Sequence, residues 1–112
     1  MEKYDWIIGI CNTNTDGVRI FKFHGSKEDV KKQLLSLIME DRGNDRENWD
    51  YGCESEEDIR ATDNGSGFEL YGYGNYIDYH IDYTAKEAGH IETVSLVPKN
   101  KEAGELLWQE NQ

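Results

Sequence analysis

The sequence is short of the features that would assign it a chemistry at once. It has two cysteines, Cys11 and Cys53, far apart and in no C-x-x-C or metal-knuckle spacing, which reads as free thiols in a reducing compartment rather than a disulfide frame. No apolar run approaches membrane-spanning length, and the opening MEKYDWIIGIC has too brief an apolar stretch and no small-residue cleavage site for a signal peptide. A cytoplasmic protein is expected. There is no internal repeat and no low-complexity tract. Gly72-Tyr73-Gly74 lacks the third glycine and following helix of a phosphate loop and reads as a turn. The stretch Asp63 to Glu69 has neither the sixth-position glycine nor the twelfth-position acid of a calcium loop, and Asn64-Gly65-Ser66 reads as a turn. No cofactor or metal is expected.

Positive charge is also scarce. Twelve Lys and Arg face twenty-three Asp and Glu, for a net charge of −11, and mean hydropathy is −0.85. The imbalance is local: residues 1 to 39 sum to +1, residues 40 to 82 to −10 and residues 83 to 112 to −2. A one-signed field speeds association with oppositely charged partners and repels like ones, so direct binding to nucleic acid or an anionic membrane is disfavoured and a basic protein is the expected partner. Solvated acidic loops are the plain alternative.

With 112 residues the chain is sized for a single domain, 1–112, able to bury a core without staples. Trp6 to Thr13 and Val18 to Phe23 flank Asp16-Gly17, which predicts an opening β-hairpin. Ser26 with Asp29 suggests a capping box; Val30, Leu34, Leu37 and Ile38 then recur at helical spacing until Gly43 offers a stop. Glu40 and Asp41 put negative charge at the negative end of that helix, a broken local rule that invites a functional reading. Residues 41–67 read as a long acidic connection with one short helix near Ser55 to Arg60. Phe68 to Tyr73 and Tyr76 to Lys86 are expected to pair around Gly74-Asn75, His90 to Val97 to add a fifth strand, and Ala103 to Gln109 to close with a short helix. The expected fold is α+β: an antiparallel sheet of about five strands in the order ββα-loop-βββα, with one amphipathic helix packed on one face.

Within YIDYHIDYTAK, Asp78, His80 and Asp82 alternate with Ile77, Tyr79, Ile81 and Tyr83, so the polar set should share one face of a strand. Such a row could serve a small hydrolase or nuclease, with His80 as general base beside carboxylates; it is equally what a half-buried strand shows, with the polar row as outer sheet surface. His24 and His90 have no partner at a recognisable spacing. The acids keep aromatic company: six of the seven tyrosines, with Trp49, fall between Trp49 and Tyr83. Tyr79 and Tyr83 read as core, leaving Tyr51, Tyr71, Tyr73 and Tyr76 as interface candidates. Carboxylates interleaved with Tyr and Trp suit a protein-binding surface. The expected partner-binding set is Glu40, Asp41, Asp45, Glu47, Asp50, Glu54, Glu56, Glu57 and Asp58 for charge, with Trp49 and Tyr51 as anchors.

The segments YDWIIGI, NWDYG and YGYGNYIDYHIDYTAK resemble those of small acidic hypothetical proteins carried by phages and conjugative elements of Firmicutes. That resemblance implies a pool that also supplies anti-CRISPR and anti-restriction proteins. Together with the charge it suggests a non-enzymatic inhibitor, monomeric or dimeric, that blocks the cationic groove of a nucleic-acid-binding protein such as a Cas effector by nucleic-acid mimicry. An immunity or antitoxin protein against a basic nuclease uses the same physics. An acidic adaptor of a mobile element is a further alternative.

Overall fold

The computed structural model describes residues 1–94. Strands β1 (Tyr4–Asn12) and β2 (Val18–Gly25) form the opening hairpin, α1 (Lys27–Asn44) follows, then β3 (Trp49–Gly52), β4 (Arg60–Ala61), β5 (Glu69–Tyr76) and β6 (His80–Glu87). The order across the antiparallel sheet is β2-β1-β6-β5-β3, with β4 also pairing the outer side of β5. This is the expected α+β arrangement, with α1 on one face.

Alternation decides which face is buried. Trp6, Ile8 and Ile10 of β1, Leu70 and Tyr76 of β5, and Ile81, Tyr83 and Ala85 of β6 point toward α1, which returns Val30, Leu34 and Ile38. The helix begins as its capping box requires: Asp29 N donates to Ser26 Oγ at 3.1 Å and Ser26 N to Asp29 Oδ2 at 3.0 Å. It does not stop at Gly43. The helical backbone continues to Asn44, and Asp45 N still donates to Asp41 O at 3.2 Å.

Other expectations shift for identifiable reasons. The hairpin turn is a five-residue connection, residues 13–17, organised by Asn12, whose side chain accepts from Asn14 N at 2.8 Å. Gly72-Tyr73-Gly74 is not a turn but the middle of β5, and the second hairpin turns at residues 77–79. In β5 Tyr71 and Tyr73 face outward while Gly72 and Gly74 face inward, because the space beneath is already filled. A Cβ on Gly72 would lie 2.8 Å from both Ile38 Cδ1 and Ile59 Cδ1, and one on Gly74 would lie 2.9 Å from Trp49 Cζ3. Tyr76, expected at the surface, is buried beneath α1.

The acidic stretch 41–67 is not an open loop. It holds two 3-10 turns, Arg46–Asn48 and Glu56–Asp58, besides β3 and β4, and it buries Cys53 and Ile59. Cys53 N donates to Tyr73 O and Thr62 N to Glu69 O, both at 3.0 Å. No fifth strand forms from His90 onward within the described residues, where Ala88–His90 is a 3-10 turn. Residues 95–97 of that expected strand, and the expected helix Ala103 to Gln109, lie outside the described residues. Both cysteines are free, Cys11 exposed and Cys53 buried. Among the described residues no helix is long and apolar enough to cross a membrane.

Candidate partner-binding surface

The sheet converts the charge pattern of the sequence into a gradient across space. Its β2 edge carries Arg19 and Lys22, a net +2, whereas residues 40–58, running from the end of α1 along the β3 edge, carry nine acids against Arg42 and Arg46, a net −7. Those acids divide into two kinds.

One kind holds the structure. Asp41 Oδ2 accepts from the Tyr83 hydroxyl and from Arg19 Nη2, each at 2.5 Å, with the Asp41 side chain only 14% exposed. Asp45 accepts from the Tyr79 hydroxyl and from Asn48 Nδ2 at 3.0 and 3.2 Å. Burial, seconded by these carboxylates, pushes the Tyr79 and Tyr83 hydroxyls far above their ordinary range. Asp58 closes the second 3-10 turn by accepting from Glu54 N at 2.9 Å and Ser55 N at 3.1 Å, and these backbone bonds hold its carboxyl below the usual value. Asp41 and Asp45 thus supply the local gain that the sequence hides: the acids at the helix end are held by tyrosines and an arginine distant in the chain, so they have a role in the fold itself.

The other kind faces solvent. Among the described residues Glu40, Glu47, Asp50, Glu56 and Glu57 have no side-chain hydrogen bond or ion pair, and Glu54 has only Arg42 at 3.5 Å.

The anchors separate as well. β3 opposes β5 as Trp49↔Tyr76 and Tyr51↔Asn75, so Asp50 is the extra residue of a bulge. Without it Trp49 and Tyr51 would share a face. With it Trp49 turns toward α1, covering Gly52 and Gly74, edge-on to Tyr76 at 5.3 Å with the Arg42 guanidinium 5.0 Å above its ring. Tyr51 turns to the opposite face, 57% exposed and edge-on to Tyr73 at 6.4 Å. Trp49 is therefore a strut and Tyr51 a surface aromatic.

That opposite face presents Tyr71 and Tyr73 of β5, their rings 6.1 Å apart and nearly parallel, beside His80 and Asp82 of β6. Asp82 Oδ1 takes the Tyr71 hydroxyl and His80 Nε2, each at 2.6 Å, and His80 Nδ1 meets Asn75 Oδ1. Burial and then Asp82 drive the Tyr71 hydroxyl well upward. The row expected to include Asp78 is broken, because Asp78 lies exposed in the turn between β5 and β6. His80 and Asp82 do share the outer sheet surface, with both His80 ring nitrogens and Asp82 Oδ1 engaged by each other, Tyr71 and Asn75. No cluster of three or more His, Cys, Asp or Glu among the described residues could hold a metal ion.

A cleft of about 420 Å³ opens between the β1–β2 connection and the end of α1, lined among others by Asn12, Thr15, Arg19, Asp41, Asp45 and Tyr79. The pairing of Arg19 with Asp41 and of Tyr83 with that same oxygen was not foreseen from the sequence; contacts spanning 22 and 42 residues leave no local signal. Comparison with protein families, with curated proteins and with solved structures finds no match for this chain.

Proposed function

We propose that the protein is a non-enzymatic acidic inhibitor that fills the cationic groove of a nucleic-acid-binding protein, a Cas effector being the fitting example. The observation supporting this reading is the set of carboxylates without a partner among the described residues, Glu40, Glu47, Asp50, Glu56 and Glu57, on an edge whose backbone is pinned by Asp41, Asp45 and Asp58. Duplex DNA offers one charge per about 1.7 Å, and a groove evolved for it stabilises carboxylates presented on a rigid support. Tyr51, beside Asp50, supplies an aromatic contact at the rim. A basic nuclease toxin has the same groove chemistry and is the second target class to assay.

The test is charge reversal at Glu47, Asp50, Glu56 and Glu57 to Lys, with folding checked by circular dichroism. DNA binding by a panel of Cas effectors and basic nucleases is then measured from 0.05 to 0.5 M NaCl. The native protein is expected to inhibit at least one of them, less so as salt rises, and the reversed variant to lose on the order of 100-fold in potency. His80→Ala should leave potency unchanged. Inhibition that survives the four reversals, or that disappears with His80→Ala alone, overturns the reading.

A further inference from the structure

On the sheet face opposite α1, one glycine has no cause among the described residues. Gly9 lies inside β1, which pairs in unbroken register with β2 on one side and β6 on the other, and its φ is not positive. A glycine in a strand interior weakens the strand and ordinarily marks a bulge, a tight bend or the close approach of another chain. No bulge is present. At Gly72 and Gly74 the close approach is made by neighbours in the fold, but a Cβ on Gly9 would meet nothing within 4 Å.

The register builds a shallow trough around this bare backbone. Across the strands Gly9 lies between Ile20 and Thr84, Ile7 between Lys22 and Lys86, and Cys11 between Val18 and Asp82. All of these share one face, because Trp6, Ile8 and Ile10 point to the other. Ile20 is 68% and Val18 55% exposed, so an apolar wall stands open to solvent beside a floor of small residues.

We infer that this trough seats the chain's own segment 95–112, with Trp108 over Gly9 and Leu106 and Leu107 beside it. The place where the chain leaves the sheet favours that occupant. β6 ends at Glu87, opposite Trp6, and a cleft of about 500 Å³ lined by Ile7, Lys22 and Ala88 among others opens there, sharing Ile7 and Lys22 with the trough. Gly9 is three residues, about 10 Å, farther along β1. Trp108 lies fourteen residues beyond Val94, a length that spans about 21 Å even at helical rise. Reach is ample.

Charge and tethering favour the same segment. Residues 102–112 carry Glu102, Glu105 and Glu110 with no Lys or Arg, a net −3, and the trough has Lys22 and Lys86 at its rim, the latter 3.8 Å from Glu69. The acidic edge at residues 40–58 would repel that segment and takes no part in its seating, so this inference fails or stands apart from the inhibitory one. Attachment by a short connection supplies an effective concentration in the mM range, whereas a second copy, also at −11, is held off by repulsion.

Nuclear Overhauser contacts in the full chain should join the Trp108 indole to the Ile7 and Ile20 methyls and to Gly9 Hα. Gly9→Val puts a good strand former where there is open space, so the fold should persist by circular dichroism while those contacts vanish. Cys11, on the same face, reports independently: Trp108→Ser should speed its alkylation by iodoacetamide about tenfold, with buried Cys53 unreactive as the internal control. Absence of the Trp108 contacts in the native chain, their survival in Gly9→Val, or an alkylation rate indifferent to Trp108→Ser overturns the inference. Protection of Cys11 that grows with protein concentration also overturns it, by assigning the trough to a second copy.

Discussion

Replacing Asp41 separates two physical accounts by the sign of the effect. Treated as a charge at the negative end of α1, Asp41 is unfavourable by about 0.3–1 kcal/mol, and its removal should stabilise the protein. The structure sets against this a Tyr83 side chain that is 0% exposed, whose hydroxyl donates to Asp41 Oδ2 at 2.5 Å, and an Arg19 guanidinium on the same oxygen. Asp41→Ala leaves that hydroxyl buried without an acceptor, at about 1–3 kcal/mol, and forfeits a charge-assisted hydrogen bond worth about 1.5–3 kcal/mol. Those two figures overlap in what they count, so after subtracting the dipole relief the net expectation is about 2–4 kcal/mol of destabilisation. Tyr83→Phe keeps the ring and the Arg19 pair and should cost about 1.5–2 kcal/mol. Because each partner's loss contains the shared bond, the double variant should be less destabilised than the sum, with a coupling of about 1–2 kcal/mol. Urea unfolding at pH 7, with unchanged m-values as the control, measures all three. A neutral or stabilising Asp41→Ala, or a coupling near zero, refutes the reasoning.

Alkaline titration tests the tyrosines together. Burial pushes Tyr76 up to about 12, and raises Tyr71, Tyr79 and Tyr83 further still. The unfolded chain therefore loses these protons first, so the stabilisation is complete below pH 10 and declines above it, by about 1.4 kcal/mol per pH unit for the fully buried Tyr83 alone; a flat stability curve from pH 10 to 11.5 contradicts this. Gly72→Ala should cost about 1–3 kcal/mol in thermal or urea melts, since its Cβ meets two isoleucine methyls at 2.8 Å, and a neutral result would show that the core gives way there. Trp49→Ala leaves the net charge at −11 but removes the strut under β3; it should reduce inhibitory potency without altering the salt slope, and undiminished potency would mean that net charge, not a held edge, does the inhibiting.

Periodicity made the well-formed elements legible: the Ser26–Asp29 box, the Val30, Leu34, Ile38 stripe and the alternation through Ile81 and Tyr83 each carry a local signature that the fold retains. The failures have identifiable causes too. Gly72 and Gly74 look like turn residues until Ile38, Ile59 and Trp49, all remote in the chain, occupy the space their side chains would need. β3 shows no strand period because the Asp50 bulge breaks it, and Cys53 and Ile59 lie too far apart to register as a pattern. The acidic face was legible only as charge. Which carboxylates are free depends on tyrosine hydroxyls that arrive from 34 and 42 residues away.

That division of labour bears on how a chain so loaded with one sign of charge can present it usefully. Crowded carboxylates repel, and on a loose segment they would spread apart and require ordering at every encounter with a partner. Here Asp41, Asp45 and Asp58 convert part of the charge into bonds that fix the C-terminal end of α1 and the 3-10 turns Arg46–Asn48 and Glu56–Asp58, while the bulge at Asp50 sends Trp49 inward to hold the strand. The ordering free energy is met by folding rather than by binding, which leaves the remaining acids preorganised. A groove that binds nucleic acid by spacing as well as by sign should then distinguish this edge from an equally charged but unstructured peptide. Grafting residues 40–58 onto a flexible carrier would retain the net −7 and discard the arrangement, and the proposed mode of action requires that such a graft inhibit poorly.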